Sequence, residues 1–179
     1  KVMHKKFRLG NVAGLTVYGR GNALPGAVAV WLVFTILTFW FLDFSLMKAV
    51  IAGLAATLLH YASEFWHHYC HAWAARRTGY PMEGVLYLWV VAVSLYPRDE
   101  PELPAKIHIR RALGGPFGSL ALALFAGIVT WALHPFGGMM YWLAGFLFLD
   151  NLLIYTIGAL LPLSFTDGST LLRWWGKRG

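Results

Sequence analysis

The sequence predicts an all-α membrane protein with about four transmembrane helices and one short re-entrant or hairpin segment. Three observations predict it. Of 179 residues, 58% are hydrophobic, 16% aromatic and only 13% charged, against about 25% charged in ordinary globular domains. Four apolar runs, 25–44, 47–71, 109–133 and 139–163, reach the ~20 residues needed to cross a hydrocarbon core of about 30 Å. The fifteen Lys and Arg residues are spread unevenly around those runs.

The chain opens on "KVMHKKFRLG", which is basic but leads into the Gly-rich, polar "NVAGLTVYGRGNALPG". That is not the short apolar core and cleavage site of a signal peptide. Residues 1–24 read as a cytoplasmic N-terminal segment, 25–171 as one transmembrane domain, and 172–179 as a basic cytoplasmic tail. Lys1, Lys5, Lys6, Arg8 and Arg20 precede the first span, and Arg76, Arg77, Arg98, Lys106, Arg110 and Arg111 lie between the second and third. Arg173, Lys177 and Arg178 follow the fourth, which leaves only Lys48 for the opposite side. With four spans all three basic groups fall on one face, and the positive-inside rule makes that face cytoplasmic. The expectation is an integral protein of a bacterial plasma membrane with both termini inside. The net charge of +7 acts as an orientation signal and an attraction to anionic membrane lipids. A nucleic-acid partner is excluded, because no soluble basic module is present. The single cysteine, Cys70, excludes an internal disulfide framework.

The second span carries "HYASEFWHHYCHAW", with four histidines and a glutamate in an otherwise apolar run. At about 100° per residue, His60, Glu64, His67 and His71 share a stripe roughly 60° wide, and His68 lies on its edge. Ionisable groups inside a span are costly, face the bundle interior and mark function. His67 and His71, four apart, can direct both rings at one metal ion. Taken alone, the pair reads equally well as two histidines hydrogen-bonded to neighbouring helices. Cys70 lies on the opposite side of the helix from Glu64 and reads as packing.

Between the second and third spans, over 80–108, the composition changes. "MEGVLYLWVVAVSLYP" is rich in β-branched and aromatic residues, too short to cross comfortably, and ends in "PRDEPELP". It reads as a re-entrant segment or membrane-dipping hairpin, or as an amphipathic stretch on the surface; irregular backbone at depth needs protein or a wet cavity around it. In the third span Gly114 and Gly118 form a GxxxG pair suited to close helix packing. Asp150 and Asn151, inside the fourth span, need partners within the protein. After that span comes "LLPLSFTDGSTLL", where Pro162 breaks the helix and Gly168 lets the backbone turn. Asp167 can then swing inward on the side where His67 and His71 lie; taken by itself, the segment reads first as an ordinary Asp-Gly turn where the helix leaves the membrane. Trp174 and Trp175, beside Arg173 and Lys177, fit an interfacial anchor.

Taken together these segments resemble the site-2 protease family of intramembrane zinc metalloproteases, the M50 peptidases. "FRLGNVAGLTVYGR" is similar to the stretch before that family's first core helix, and "HHYCHAWAARRTGYPMEGV" to its HExxH helix and continuation. "RRALGGPFGSLALAL" looks like its alanine-glycine-proline segment, and "GALLPLSFTDGSTLL" like its NLLPxxxLDG ending. The resemblance implies a site-2-protease-like core and one zinc ion held by His67, His71 and Asp167. In the family, the glutamate after the first histidine activates zinc-bound water.

The departures fall on the chemistry. His68 stands where the family has that glutamate. Ser119 stands at a family asparagine that can hold substrate or an oxyanion, and Ala159 at a second. The hairpin lacks the family's paired glycines. Peptide hydrolysis needs proton transfer, typically worth 10²–10⁴-fold, so loss of the base should cripple the reaction. Glu64, one turn before His67, is a possible substitute base or fourth ligand, and His68 could itself titrate near neutrality. These losses favour a protease fold without proteolytic activity, serving as a binding or scaffold subunit of a membrane complex. The alternative is an active metalloprotease that cuts a transmembrane protein substrate. A third reading has His60 or His68 ligating a tetrapyrrole.

Overall fold

The computed structural model describes residues 6–177; Lys1, Lys5 and Arg178 of the basic groups lie outside them. Four helices are long and apolar enough to cross a membrane: Ala23–Phe41, Leu46–Arg77, Ala105–Phe136 and Gly138–Gly158. The protein is an integral membrane protein built on this bundle. Their limits differ from the apolar runs, because helices continue past the hydrocarbon core wherever backbone bonding and packing still favour them. The second is the clearest case. Its 32 residues rise about 48 Å at 1.5 Å each, carrying the polar end, with Arg76 and Arg77, beyond the apolar run.

Two strands precede the bundle. Strand β1 (Phe7–Val12) and β2 (Leu15–Gly19) form an antiparallel hairpin. Its turn places Ala13 and Gly14 at positive φ, the hairpin geometry in which glycine is favoured, and Asn11 Oδ1 accepts from the Gly14 N–H at 3.0 Å. Strand β2 pairs in parallel with β3 (Gly84–Leu88), which pairs antiparallel with β4 (Val91–Leu95). The expected hairpin is therefore half of a four-stranded sheet of order β1-β2-β3-β4. Leu15 and Val85 are fully buried and pack with Ala72, Ala75 and Met82. That small core docks the sheet on the polar end of the second helix and sets β4 beside its histidines.

Helix α1 (Ala23–Phe41) lies on the bundle surface, with about half of its residues exposed and only Gly26 buried. A side chain at Gly26 would collide with the Trp89 carbonyl in the β3–β4 turn, so glycine admits the sheet at this point. Helix α2 (Leu46–Arg77) packs chiefly on α1 and on α3 (Ala105–Leu133). Cβ atoms at Gly114 and Gly118 would strike Cys70 and Ala74 of α2, the close helix approach expected of a GxxxG pair. After a single 3₁₀ turn (His134–Phe136), α4 (Gly138–Leu149) runs on into a π-helical segment, Asp150–Gly158. The widened turns are secured by side chains: Asn151 Nδ2 donates to the Leu147 carbonyl at 2.9 Å, and Thr156 Oγ1 to the Asn151 carbonyl at 2.8 Å. The chain then reverses through Pro162 into α5 (Asp167–Trp175).

Candidate metal centre

His67 and His71 lie on successive turns of α2, buried, with their Nε2 atoms 3.0 Å apart. Asp167, the first residue of α5, brings Oδ2 to 3.3 Å from His67 Nε2 and 3.2 Å from His71 Nε2. Local chemistry puts the carboxylate there. The Thr166 hydroxyl donates to the Leu163 carbonyl at 2.7 Å and accepts from the Leu163 N–H at 3.1 Å, tying the turn together. Gly168 follows because any side chain would run into the Leu160 carbonyl. Its role is close approach to backbone, where the sequence suggested only freedom to turn.

The outer ring nitrogens fix which way the inner ones point. His71 Nδ1 donates to the Arg111 carbonyl at 2.7 Å, and His67 Nδ1 lies 3.0 Å from Ser119 Oγ. A proton on Nδ1 leaves Nε2 as a lone-pair donor, the usual outer support of metal-binding histidine. Arg111 is itself buried and anchored, with its guanidinium on both Glu100 oxygens, at 2.5 and 3.0 Å, and over the Tyr96 ring at 4.4 Å. Burial pushes the Tyr96 phenol up to about 12, although Arg111 opposes the shift. The ring under the guanidinium is therefore neutral.

The three inner atoms fit a metal ion. A tetrahedral zinc with bonds of 2.0–2.1 Å separates its ligand atoms by about 3.3 Å, and the separations here are 3.0, 3.2 and 3.3 Å. Gly115 lies directly opposite; a Cβ there would press on both Nε2 atoms, so the glycine keeps that side clear. Burial alone would raise the Asp167 pKa, but the two imidazoles facing its Oδ2 outweigh it and hold the carboxyl below the usual carboxylate range. The group therefore presents a charged oxygen to the two imidazoles. Among the described residues these three form the one cluster of His, Cys, Asp and Glu with ligand atoms this close.

The remaining candidates face elsewhere. His68 is buried, and its Nδ1 lies 2.9 Å from Ser94 Oγ on β4. Glu64 Oε1 accepts from the Ala92 N–H, also on β4, at 2.5 Å. Both residues considered as a base are thus bonded to the hairpin, and neither joins the convergent set. Ser119 stands behind His67. His60, deeper along α2, is 3.0 Å from Asp150 Oδ1 and within 3.3 Å of Tyr155 Oη, so the partner of Asp150 is a member of the histidine stripe. Asn151 donates to Ser63 Oγ at 2.8 Å. Cys70 is half-buried against Gly118. Sequence reasoning missed Ser94, Ala92 and the Arg111 carbonyl. Two of these act through backbone atoms, which leave no residue-type signal, and Ser94 sits in a strand whose register the sequence did not state.

No protein-family model matches the chain, and no curated protein sequence matches it. Among solved structures it is similar to the site-2 protease from Methanocaldococcus jannaschii, with a TM-score of 0.63 and 18% identity over 94% of this chain and 70% of that one. The likeness extends over sheet and bundle alike, and it shows that the chain has a site-2-protease-like fold.

Proposed function

We propose that this is a metal-binding membrane protein whose proteolytic chemistry is impaired and whose role is that of a binding or scaffold subunit in a membrane complex. One observation carries the reading: the two residues that could replace the family's catalytic glutamate are both tied to β4, His68 to Ser94 and Glu64 to Ala92. His67, His71 and Asp167 hold the zinc, with Ser119 and the Arg111 carbonyl orienting the imidazoles. Bound zinc supplies Lewis-acid polarisation and lowers the pKa of its water. Amide cleavage also needs a proton carried to the leaving nitrogen; in this reading the two candidates are engaged by β4 instead, His68 through Nδ1 and Glu64 through Oε1. In this reading the site-2-protease-like fold and the three convergent residues serve to hold a transmembrane partner, and His68 stands at the position of the family's glutamate. Orientation with both termini cytoplasmic, in a bacterial plasma membrane, belongs to the same proposal and rests on the basic residues.

The test is restoration. A His68→Glu variant and the native protein, both zinc-loaded, are compared on a model transmembrane substrate. Native turnover about 10²-fold or more below the restored variant is expected, the lower bound for loss of general acid–base catalysis. Native activity equal to or above the variant's would overturn the proposal in favour of an active intramembrane protease.

A further inference from the structure

On the reverse side of the α2–α3 crossing, away from the metal centre, lies an outward-opening cavity of about 700 Å³. Its floor is Gly114 and Gly118, its walls are the exposed rings of Trp73 and Phe117, and Arg77 and Arg110 stand at its polar end. The slot follows from the close helix approach: the two glycines draw α3 onto Cys70 and Ala74, which leaves a seam floored by small residues, and the flanking aromatics deepen it. Arg77 is held with its guanidinium 3.9 Å over the Trp73 ring, which lays it along the wall. Neither arginine has a carboxylate partner among the described residues. Lys106 and Lys177 line a second hollow that shares Arg110, which adds to the positive potential there.

We propose that this groove binds an anionic glycerophospholipid, with the phosphate on Arg77 and Arg110 and an acyl chain along Gly114 and Gly118. The slot lies between two membrane-crossing helices, its body is apolar, and its charged end is where α2 leaves and α3 enters the apolar layer. That is the amphipathic division of a phospholipid. A partner's transmembrane helix is the poorer occupant, since positive-inside flanking would bring further Lys and Arg to this same end. Anionic headgroups instead add about 1 kcal/mol of attraction per basic residue near the surface. The positions next to the two floor glycines, Gly115 and Ser119, face His67 and His71. A lipid seated in the groove therefore braces α2, which carries His67 and His71, against α3, which carries Ser119 and the Arg111 carbonyl.

The whole protein, purified in mild detergent, is offered equal amounts of phosphatidylglycerol and phosphatidylcholine with matched acyl chains, and bound lipid is counted by native mass spectrometry. Selective retention of phosphatidylglycerol is expected. It should fall about tenfold or more in Arg77→Gln/Arg110→Gln, recover in Arg77→Lys/Arg110→Lys, and persist in excess inorganic phosphate. Circular dichroism and elution volume establish that each variant is folded. Equal retention of the two lipids, undiminished phosphatidylglycerol binding by the folded glutamine variant, or displacement by inorganic phosphate would each overturn the proposal.

Discussion

The character of the metal centre is decided as much by Ser119 and the Arg111 carbonyl as by the three inward-facing residues. Each fixes a ring nitrogen that does not face the metal position, and so each determines what the other nitrogen offers. Replacing Ser119 with Ala removes the partner of His67 Nδ1 without touching an inner atom. The expected result is a zinc affinity 10–100-fold weaker, the range for loss of an outer hydrogen bond, measured by competition with a chromogenic chelator. An unchanged affinity would mean that packing alone holds the ring. At this scale the sequence was informative where side chains converge by spacing: His67 and His71 follow from helical periodicity, and Asp167 from the breaker and turn residues around it. It was silent on Arg111, counted only among the topogenic basic residues, because nothing in "RRALGG" says that one arginine faces solvent and the next is buried on Glu100.

The β3–β4 hairpin is the element that most alters the chemistry beside the metal. Its composition made a strand pair one of the open readings. The parallel pairing with β2 was not legible, since it joins residues 68 positions apart and follows from the shared core of Leu15 and Val85 on α2. The π-helical segment was equally hidden: it depends on where Asn151 and Thr156 send their hydrogen bonds, and an apolar run reads the same in either helix type. Glu64 staples this hairpin to α2. Glu64→Ala should make the Ala92 amide exchange roughly two- to tenfold faster, because a hydrogen bond contributes about 0.5–1.5 kcal/mol. Glu64→Gln, which keeps an acceptor, should restore much of the protection. Hydrogen exchange followed by mass spectrometry reads both; equal exchange in wild type and Glu64→Ala would show that the sheet holds itself in place.

Across the whole molecule the proposed topology uses four spans to bring both described ends of the chain, the sheet, the candidate metal centre and every described basic residue except Lys48 to one side. Single cysteines placed at Lys6 and Lys177 in a Cys70→Ser background should react with an impermeant maleimide in inside-out vesicles only, and one at Lys48 in right-side-out vesicles only; any other pattern would reverse the orientation. The fold class was legible because hydropathy and charge placement are properties of long stretches, which survive the loss of individual motifs. The proposed loss of chemistry is different, because it rests on one residue, His68, whose change would leave the hydropathy and charge pattern of the bundle as it is. The proposed function rests on metal at His67, His71 and Asp167. The most direct measurement is elemental analysis of the purified chain, kept free of chelators, beside the Asp167→Ala and His67→Ala/His71→Ala variants. About one zinc per native chain, lost in both variants while helical content is kept, is the predicted result. A native protein without stoichiometric transition metal, or variants that keep it in full, would contradict it.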